Sequence, residues 1–225
     1  MWTDVRSRQE QPFLILRGMG IPISPSIVRL VDDDGSFLKA ASRLLRASGF
    51  NVETFDSAAD LLERLTADSR GCVIADVRMP RVSGLDLQDA LVKSGVMLPV
   101  IFLTGQGDIP SSVRAMRHGA EDFLEKRAPR NQLLDAVNRA LARDARQHAE
   151  QTRMQALRSA FDSLSPRERE VLSHVVAGRL NKQIASDLDI HERTVKIHRK
   201  AITTKLGVRS VAELTRLAQA AGMLE

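Results

Sequence analysis

The chain has 225 residues, 43% of them hydrophobic and 27% charged, an ordinary globular balance that suits one large domain or two small ones. Aromatics make up 4% with no Tyr, so the core must be aliphatic; the single cysteine, Cys72 in an apolar run, excludes an internal disulfide and favours a reducing, cytoplasmic setting. No apolar stretch reaches the roughly 18 residues of a membrane span, and the net charge of +5 is uneven: 11 Lys and Arg against 7 Asp and Glu from Pro166 onward, 3 against 2 in residues 1–26, and neutrality between, which points the C-terminal end at a polyanion.

Residues 1–26 are expected to form a disordered tail. The run Pro12–Leu16 is apolar but too short for a signal-peptide core, and Met19 is an alternative start of translation. From Ile27 short apolar runs alternate with amphipathic stretches. Ile27 to Val31 reads as a strand, and Phe37, Ala41, Leu44, Leu45 and Ser48 as a helix ended by Gly49. Val52 and Phe55 mark a second strand, and Ser57 caps a helix carrying Leu61, Leu62 and Leu65. Cys72 to Ala75 is a third strand, followed by a helix with Leu87, Ala90 and Leu91. Val100 to Leu103 is a fourth, followed by a helix with Ile109, Val113 and Met116 that Gly119 ends. Asp122 to Glu125 is a fifth, followed by a helix with Leu133, Leu134, Val137 and Leu141. Five strand–helix repeats predict an α/β fold, a doubly wound (βα)5 parallel sheet over 27–143.

From Ala140 to about Ser163 the chain is rich in Ala, Arg and Gln without Gly or Pro, which predicts a continuous helical linker over 144–163. Its apolar positions make no firm heptad, so a solvated helix and a dimerising helix stand level. The region 164–225 reads as an all-α domain of four helices. Ser165 and Glu168 form a capping box around Pro166, Gly178 stops that helix, Ile184, Ala185 and Leu188 define a second, Val195, Ile202 and Leu206 line a third ended by Gly207, and Ser210 with Glu213 caps a fourth.

In a doubly wound sheet the chemistry lies beyond the carboxyl ends of the strands. There stand Asp32-Asp33-Asp34 after the first strand, Asp76 after the third, Thr104 after the fourth and Lys126 after the fifth. Crowded carboxylates raise one another's pKa unless a divalent cation relieves them, and an all-oxygen donor set suits Mg²⁺. An Asp beside such an ion can attack a phosphoryl group, and a Lys and a hydroxyl can receive the added charge. Singly, each residue has a bland reading as a cap, a turn or a surface charge; their joint placement after four strands of one sheet favours the chemistry.

These residues, with Ile74-Ala75-Asp76-Val77-Arg78-Met79-Pro80, Ser83-Gly84-Leu85 and Asp122-Phe123-Leu124-Glu125-Lys126, resemble a receiver domain of the CheY type. The resemblance implies that Asp76 accepts a phosphoryl group from a sensor histidine kinase. It implies that Asp33, Asp76 and the backbone carbonyl of Arg78 hold Mg²⁺ directly, with Asp32 acting through water. Thr104, Phe123 and Lys126 are then the switch residues. One departure is Arg127, which follows Lys126 where receivers usually carry Pro, often in a cis peptide. A cis bond before Arg costs about 2.5–4 kcal/mol, so a trans bond and an altered loop are expected.

At the C-terminal end, two helices with outward cations on the second fit a helix-turn-helix. Lys196 and Lys200 lie four apart, with Arg193, Ile197 and Thr204 near the same face and Arg199 on the same helix, a surface suited to base edges in a major groove. Lys182, Thr194 and Arg209 are placed to hold phosphates. Leu164 to Leu172, Asn181 to Ala185 and Thr194 to His198 resemble the LuxR-type domain of the FixJ/NarL subfamily, which implies that Lys196 and Lys200 face bases and that the last helix helps dimerisation. His191 stands where a Ser or Thr cap is common.

The expectation is a phosphorylation-activated, DNA-binding transcription regulator that forms a homodimer when phosphorylated, with RNA polymerase a further candidate partner and no membrane association. Its own enzymology extends no further than slow self-dephosphorylation. Two alternatives are a phosphorylation-independent DNA binder with a vestigial receiver, and an Asp-nucleophile phosphatase. The last needs a second carboxylate just after its nucleophile, where this chain has Val77-Arg78.

Overall fold

Five apolar runs pair as a parallel sheet in the computed structural model, which describes residues 26–105 and 109–221. They are β1 (Ile27–Val31), β2 (Asn51–Phe55), β3 (Gly71–Asp76), β4 (Val100–Thr104) and β5 (Asp122–Glu125), in the order β2-β1-β3-β4-β5. Between them run α1 (Gly35–Ala47), α2 (Ala58–Arg64), α3 (Gly84–Lys93) and α4 (Ile109–Arg117), and α5 (Arg130–Asp162) follows the last strand. This is the doubly wound (βα)5 sheet that the alternation predicts. β3 and β4 are buried along their whole length, which is why they read as unbroken apolar runs. Alternate side chains feed two cores. Val31, Val73, Ala75 and Phe102 pack with Leu61, Leu87 and Leu91 on one face; Leu30, Ile74 and Ile101 pack with Leu38, Leu45, Ala136 and Val137 on the other.

The register fixes where the site must be. Val31 pairs with Ala75, Asp76 with Leu103, and Thr104 with Glu125, so the strand ends stand level along one edge. The direction of winding reverses between β1 and β3, the crevice where such sheets bind ligands.

The described residues divide into two compact units, 26–149 and 150–221. The expected linker is helical, but its first turn is not solvated. Asp144 is 5% exposed, and its Oδ2 accepts bonds from Arg70 Nε (3.0 Å) and a terminal Arg70 nitrogen (2.9 Å). That buried pair ties the start of the expected linker to the chain just ahead of β3. A second difference concerns α4. Ile109, Val113 and Met116 mark the helix in the sequence but lie on its outer side, 78%, 43% and 49% exposed, while the buried residue is Ala115. The expected N-terminal tail lies outside the described residues, save Ser26.

The second unit packs α6 (Pro166–Val176), α7 (Asn181–Asp187), α8 (Glu192–Leu206) and α9 (Val211–Ala220) around Phe161, Leu172, Val175, Ile184, Val195, Ile202 and Leu206. The Ser165 box is complete: Ser165 Oγ accepts from Glu168 N, and Glu168 Oε2 accepts from Ser165 N. The Ser210 box is half of one, because Glu213 Oε2 returns instead to the N–H of Arg209. Gly207 ends α8 in the left-handed conformation, φ 64°, which a residue with a Cβ enters only at a cost.

Glu168 does more than cap. It is buried, and the same Oε2 takes the Lys205 ammonium of α8 at 2.7 Å, so one carboxylate joins the start of α6 to the end of α8. The bond from Lys205, with that from Ser165, holds its carboxyl below the usual glutamate range. A depressed folded pKa gives stability that is complete above the ordinary glutamate value and is lost as pH falls through the lower folded one. Glu168→Gln should therefore lower the urea stability of this unit by about 1–3 kcal/mol at neutral pH. It should also flatten the loss of stability on acidification, measured as unfolding midpoints from neutral pH downward.

Candidate functional site

The three consecutive aspartates after β1 do three different things. Asp34 is the N-cap of α1: its Oδ1 accepts from Ser36 N (2.8 Å) and Phe37 N (3.2 Å). Asp33 projects to solvent. Asp32 is fully buried, and its Oδ1 accepts from Asp34 N at 2.9 Å. The bland reading of the run as caps holds for one residue of the three.

Asp76, at the end of β3, is buried as well. Its Oδ1 accepts from the backbone N–H of Arg78 at 3.2 Å, so the Arg78 backbone folds back over the carboxylate while its side chain is exposed. Gly84 permits the next helix to start against this loop. A Cβ there would meet the carbonyl oxygen of Asp76 at 2.3 Å, and Gly84 N donates to the carbonyl of Val77 at 3.1 Å.

Lys126 closes the site. Its backbone N–H donates to the carbonyl of Thr104 at 2.8 Å, extending the β4–β5 ladder by one residue. Its ammonium lies 2.6 Å from Asp32 Oδ2 and 2.8 Å from Asp76 Oδ2. Burial pushes the Asp32 carboxyl up, and the Lys126 hydrogen bond opposes without cancelling it. For Lys126 burial acts to lower the pKa, but the bonds to Asp32 and Asp76 outweigh it and the ammonium is held above the ordinary lysine range. The peptide bond before Arg127 is trans, as expected, and Lys126-Arg127 forms a turn closed by Ala128 N to Glu125 O at 2.9 Å.

Thr104 is 2% exposed at the end of β4. Phe123 is half-buried and tilted at 45° to Phe102, ring centres 6.3 Å apart, so it borders the core rather than filling it. One residue escapes the sequence reading. The ring of Phe37 lies 4.8 Å from the Lys126 ammonium. Its place in the apolar period of α1 masks that contact, and only the acidic run just before it could have hinted at a second role.

Asp32, Asp33 and Asp76 each offer a carboxylate oxygen within 4.8 Å of the others, a donor set that could hold a metal ion. All-oxygen ligation fits a hard divalent cation.

In the second unit Val195, Ile202 and Leu206 turn α8 inward. Arg193, Lys196, Ile197, Lys200 and Thr204 are exposed, Ile197 at 60%. Lys182 and Arg209 are exposed nearby in sequence on α7 and after α8, and Thr194 is half-buried in the first turn. Lys196 lies 3.2 Å from Glu192, one turn earlier. The structure sets Arg199 apart: it is half-buried and donates to Asn181 Oδ1 at 2.8 Å, bracing α8 against α7. His191 precedes α8 without a side-chain cap bond.

Two family models match the chain, the response regulator receiver domain over residues 28–138 and the bacterial regulatory proteins of the luxR family over residues 162–218. The response regulator protein TodT of Pseudomonas putida is 43% identical over 194 residues, 86% of each chain. The transcriptional regulatory protein FixJ of Bradyrhizobium diazoefficiens is 38% identical over 197 residues, 88% of this chain and 96% of that one. The solved structure of the response regulator StyR superposes with a TM-score of 0.82 at 42% identity, covering 87% of this chain and 99% of that one.

The geometry of the pocket yields one test. Removing the ammonium leaves two buried carboxylates facing each other, so Lys126→Met should cost about 3–5 kcal/mol in the metal-free protein. Added Mg²⁺ should raise the thermal midpoint of this variant more than that of the wild type.

Proposed function

We propose, for a chain that belongs to the response regulators joining a receiver to a LuxR-type DNA-binding domain, that phosphorylation of Asp76 controls its binding to promoters. The observation that supports this best is the Lys126 ammonium held between Asp32 and Asp76 at one sheet edge. Asp76 supplies the nucleophilic oxygen: an O–P bond forms to the phosphoryl group as the N–P bond of a phosphohistidine in a sensor kinase breaks. Mg²⁺ suits the site; Asp33, Asp76 and the Arg78 carbonyl would hold it directly and Asp32 through water, and it would neutralise charge on the transferring oxygens. Lys126, freed from its carboxylates, and the Thr104 hydroxyl receive the new phosphoryl oxygens. Phe123 follows Thr104 inward. The protein catalyses no metabolic reaction, and slow hydrolysis of the acyl phosphate resets it.

Readout is by association. The exposed Ile109, Val113 and Met116 of α4 form an apolar stripe fit to meet a second phosphorylated copy. Two recognition helices then meet two half-sites. Arg193, Lys196, Ile197 and Lys200 face base edges, Lys182, Thr194 and Arg209 face phosphates, and Arg199 holds α8 to α7. RNA polymerase is the partner expected at the promoter, and the cytoplasm is the compartment.

Intact mass spectrometry after incubation with Mg²⁺ and acetyl phosphate should show one phosphoryl adduct on the wild type and none on Asp76→Asn. An unmodified wild type would sink this reading and leave a phosphorylation-independent DNA binder. For the second unit, Lys182→Ala should weaken DNA binding about uniformly across sequences and reduce the salt slope by about one. Lys200→Ala should relax sequence preference by about 1–3 kcal/mol at one base pair, measured by titration against site variants.

A further inference from the structure

Lys126 is confined on more sides than the two carboxylates provide. Phe37 leaves the first turn of α1 with its backbone N–H bonded to the Asp34 cap, and its ring stands 4.8 Å from the ammonium. That is within the roughly 6 Å over which an aromatic face attracts a cation. Ring and ammonium, far apart in the sequence, therefore meet at one sheet edge, each held by its own backbone bond, Phe37 N to Asp34 and Lys126 N to the Thr104 carbonyl.

We propose that Phe37 is a positioning residue for Lys126, its ring keeping the ammonium aimed at the Asp32–Asp76 pair and at the phosphoryl group that replaces it. This deepens the reading of Asp76 as phosphoacceptor and rests on it. An acidic side chain at position 37 would hold the cation more tightly, but it would add negative charge beside a group that must accept still more. An aromatic face attracts the cation with no net charge. The need for such a restraint follows from the loop. Position 127 is Arg, 79% exposed in its side chain, and the turn after β5 is closed by the bond from Ala128 N to Glu125 O and a loose, exposed Arg127–Glu125 ion pair at 3.8 Å. The proline of this loop, Pro129, comes only after Arg127 and Ala128, so the residue directly after Lys126 keeps a φ that no ring fixes.

Phe37 also borders a hollow of about 190 Å³ lined by Ala40, Leu44, Leu124, Ala128 and Leu133. Phe37 is half-buried at the rim of the core on this face, beside that space, so a smaller and a larger residue are both tested and packing is separated from the ring by comparing them.

The test compares full-length wild type, Phe37→Leu and Phe37→Trp. Phosphoryl uptake from acetyl phosphate with Mg²⁺ is followed by mass spectrometry, and the Lys126 side-chain resonances by NMR. Phe37→Leu should slow uptake about fivefold, the fold-change of one exposed cation–π contact, and its Lys126 side-chain protons should lose their upfield ring-current shift. Phe37→Trp should restore both. Uptake and shifts unchanged in Phe37→Leu would overturn the proposal. So would an equal loss in Leu and Trp variants, which would assign the effect to packing. If the wild type takes up no phosphoryl group, the function proposed above fails, yet the Lys126 shifts in the three proteins still decide whether the ring holds the ammonium.

Discussion

Everything in the first unit is arranged around one electrostatic problem: two carboxylates, Asp32 and Asp76, buried close together at the edge of a sheet. Unpaired, such a pair would drive one of its members to bind a proton. The ammonium of Lys126 settles the pair, and a buried arrangement of this kind is strongly destabilised when one partner is removed. The fold supplies the geometry cheaply. A parallel sheet in level register ends β1, β3, β4 and β5 at one edge, so residues 32, 76, 104 and 126 meet although the chain separates the first and last by most of a domain. The same crowding that burdens the resting state makes the site receptive to a divalent cation, because that ion can do for all three carboxylates what Lys126 does for two.

How much of this was legible in the sequence depended on whether period or contact carried the information. The strands, their order of chemistry and the ends of α2, α6 and α8 follow from local rules: β3 and β4 are continuous apolar runs, and Ser57, Ser165 and Gly207 sit where caps and stops belong. Local rules alone do not divide the labour among Asp32, Asp33 and Asp34, since three identical residues differ only in which way each side chain leaves the loop; only the family resemblance separates the first two. Asp144 likewise reads as one more charge on a solvated helix. Only the arrival of Arg70 from before β3 shows that α5 is still anchored there.

At α4 apolar periodicity marks the helix without telling which side is buried, for a physical reason. A helix whose inner face is a single small residue, Ala115, can carry a full stripe of larger ones outward, and period alone does not say which side meets the sheet. The period of Ile109, Val113 and Met116 therefore marks the helix and leaves its buried face open. Aromatic scarcity had a similar effect. With few rings in the chain, Phe37 and Phe123 look like core residues by default, yet one faces an ammonium and the other borders the core beside Phe102.

The second unit solves a different problem with the same means. A helix that meets a polyanion needs cations left free on its outer face, but cations on one surface repel one another and weaken the fold that presents them. Here the load is divided. Lys205 is spent inward on Glu168, Arg199 on Asn181, and Lys196 is partly offset by Glu192 one turn away. Of the basic residues on α8, Arg193 and Lys200 remain exposed beside Ile197 with no ion pair to an acid among the described residues. The inward pairs fix α8 against α6 and α7, the rigidity that reading base edges would demand of a helix. A loosely held recognition helix could still attract phosphates, because charge acts at a distance, but it could not hold a side chain in register with a single base edge.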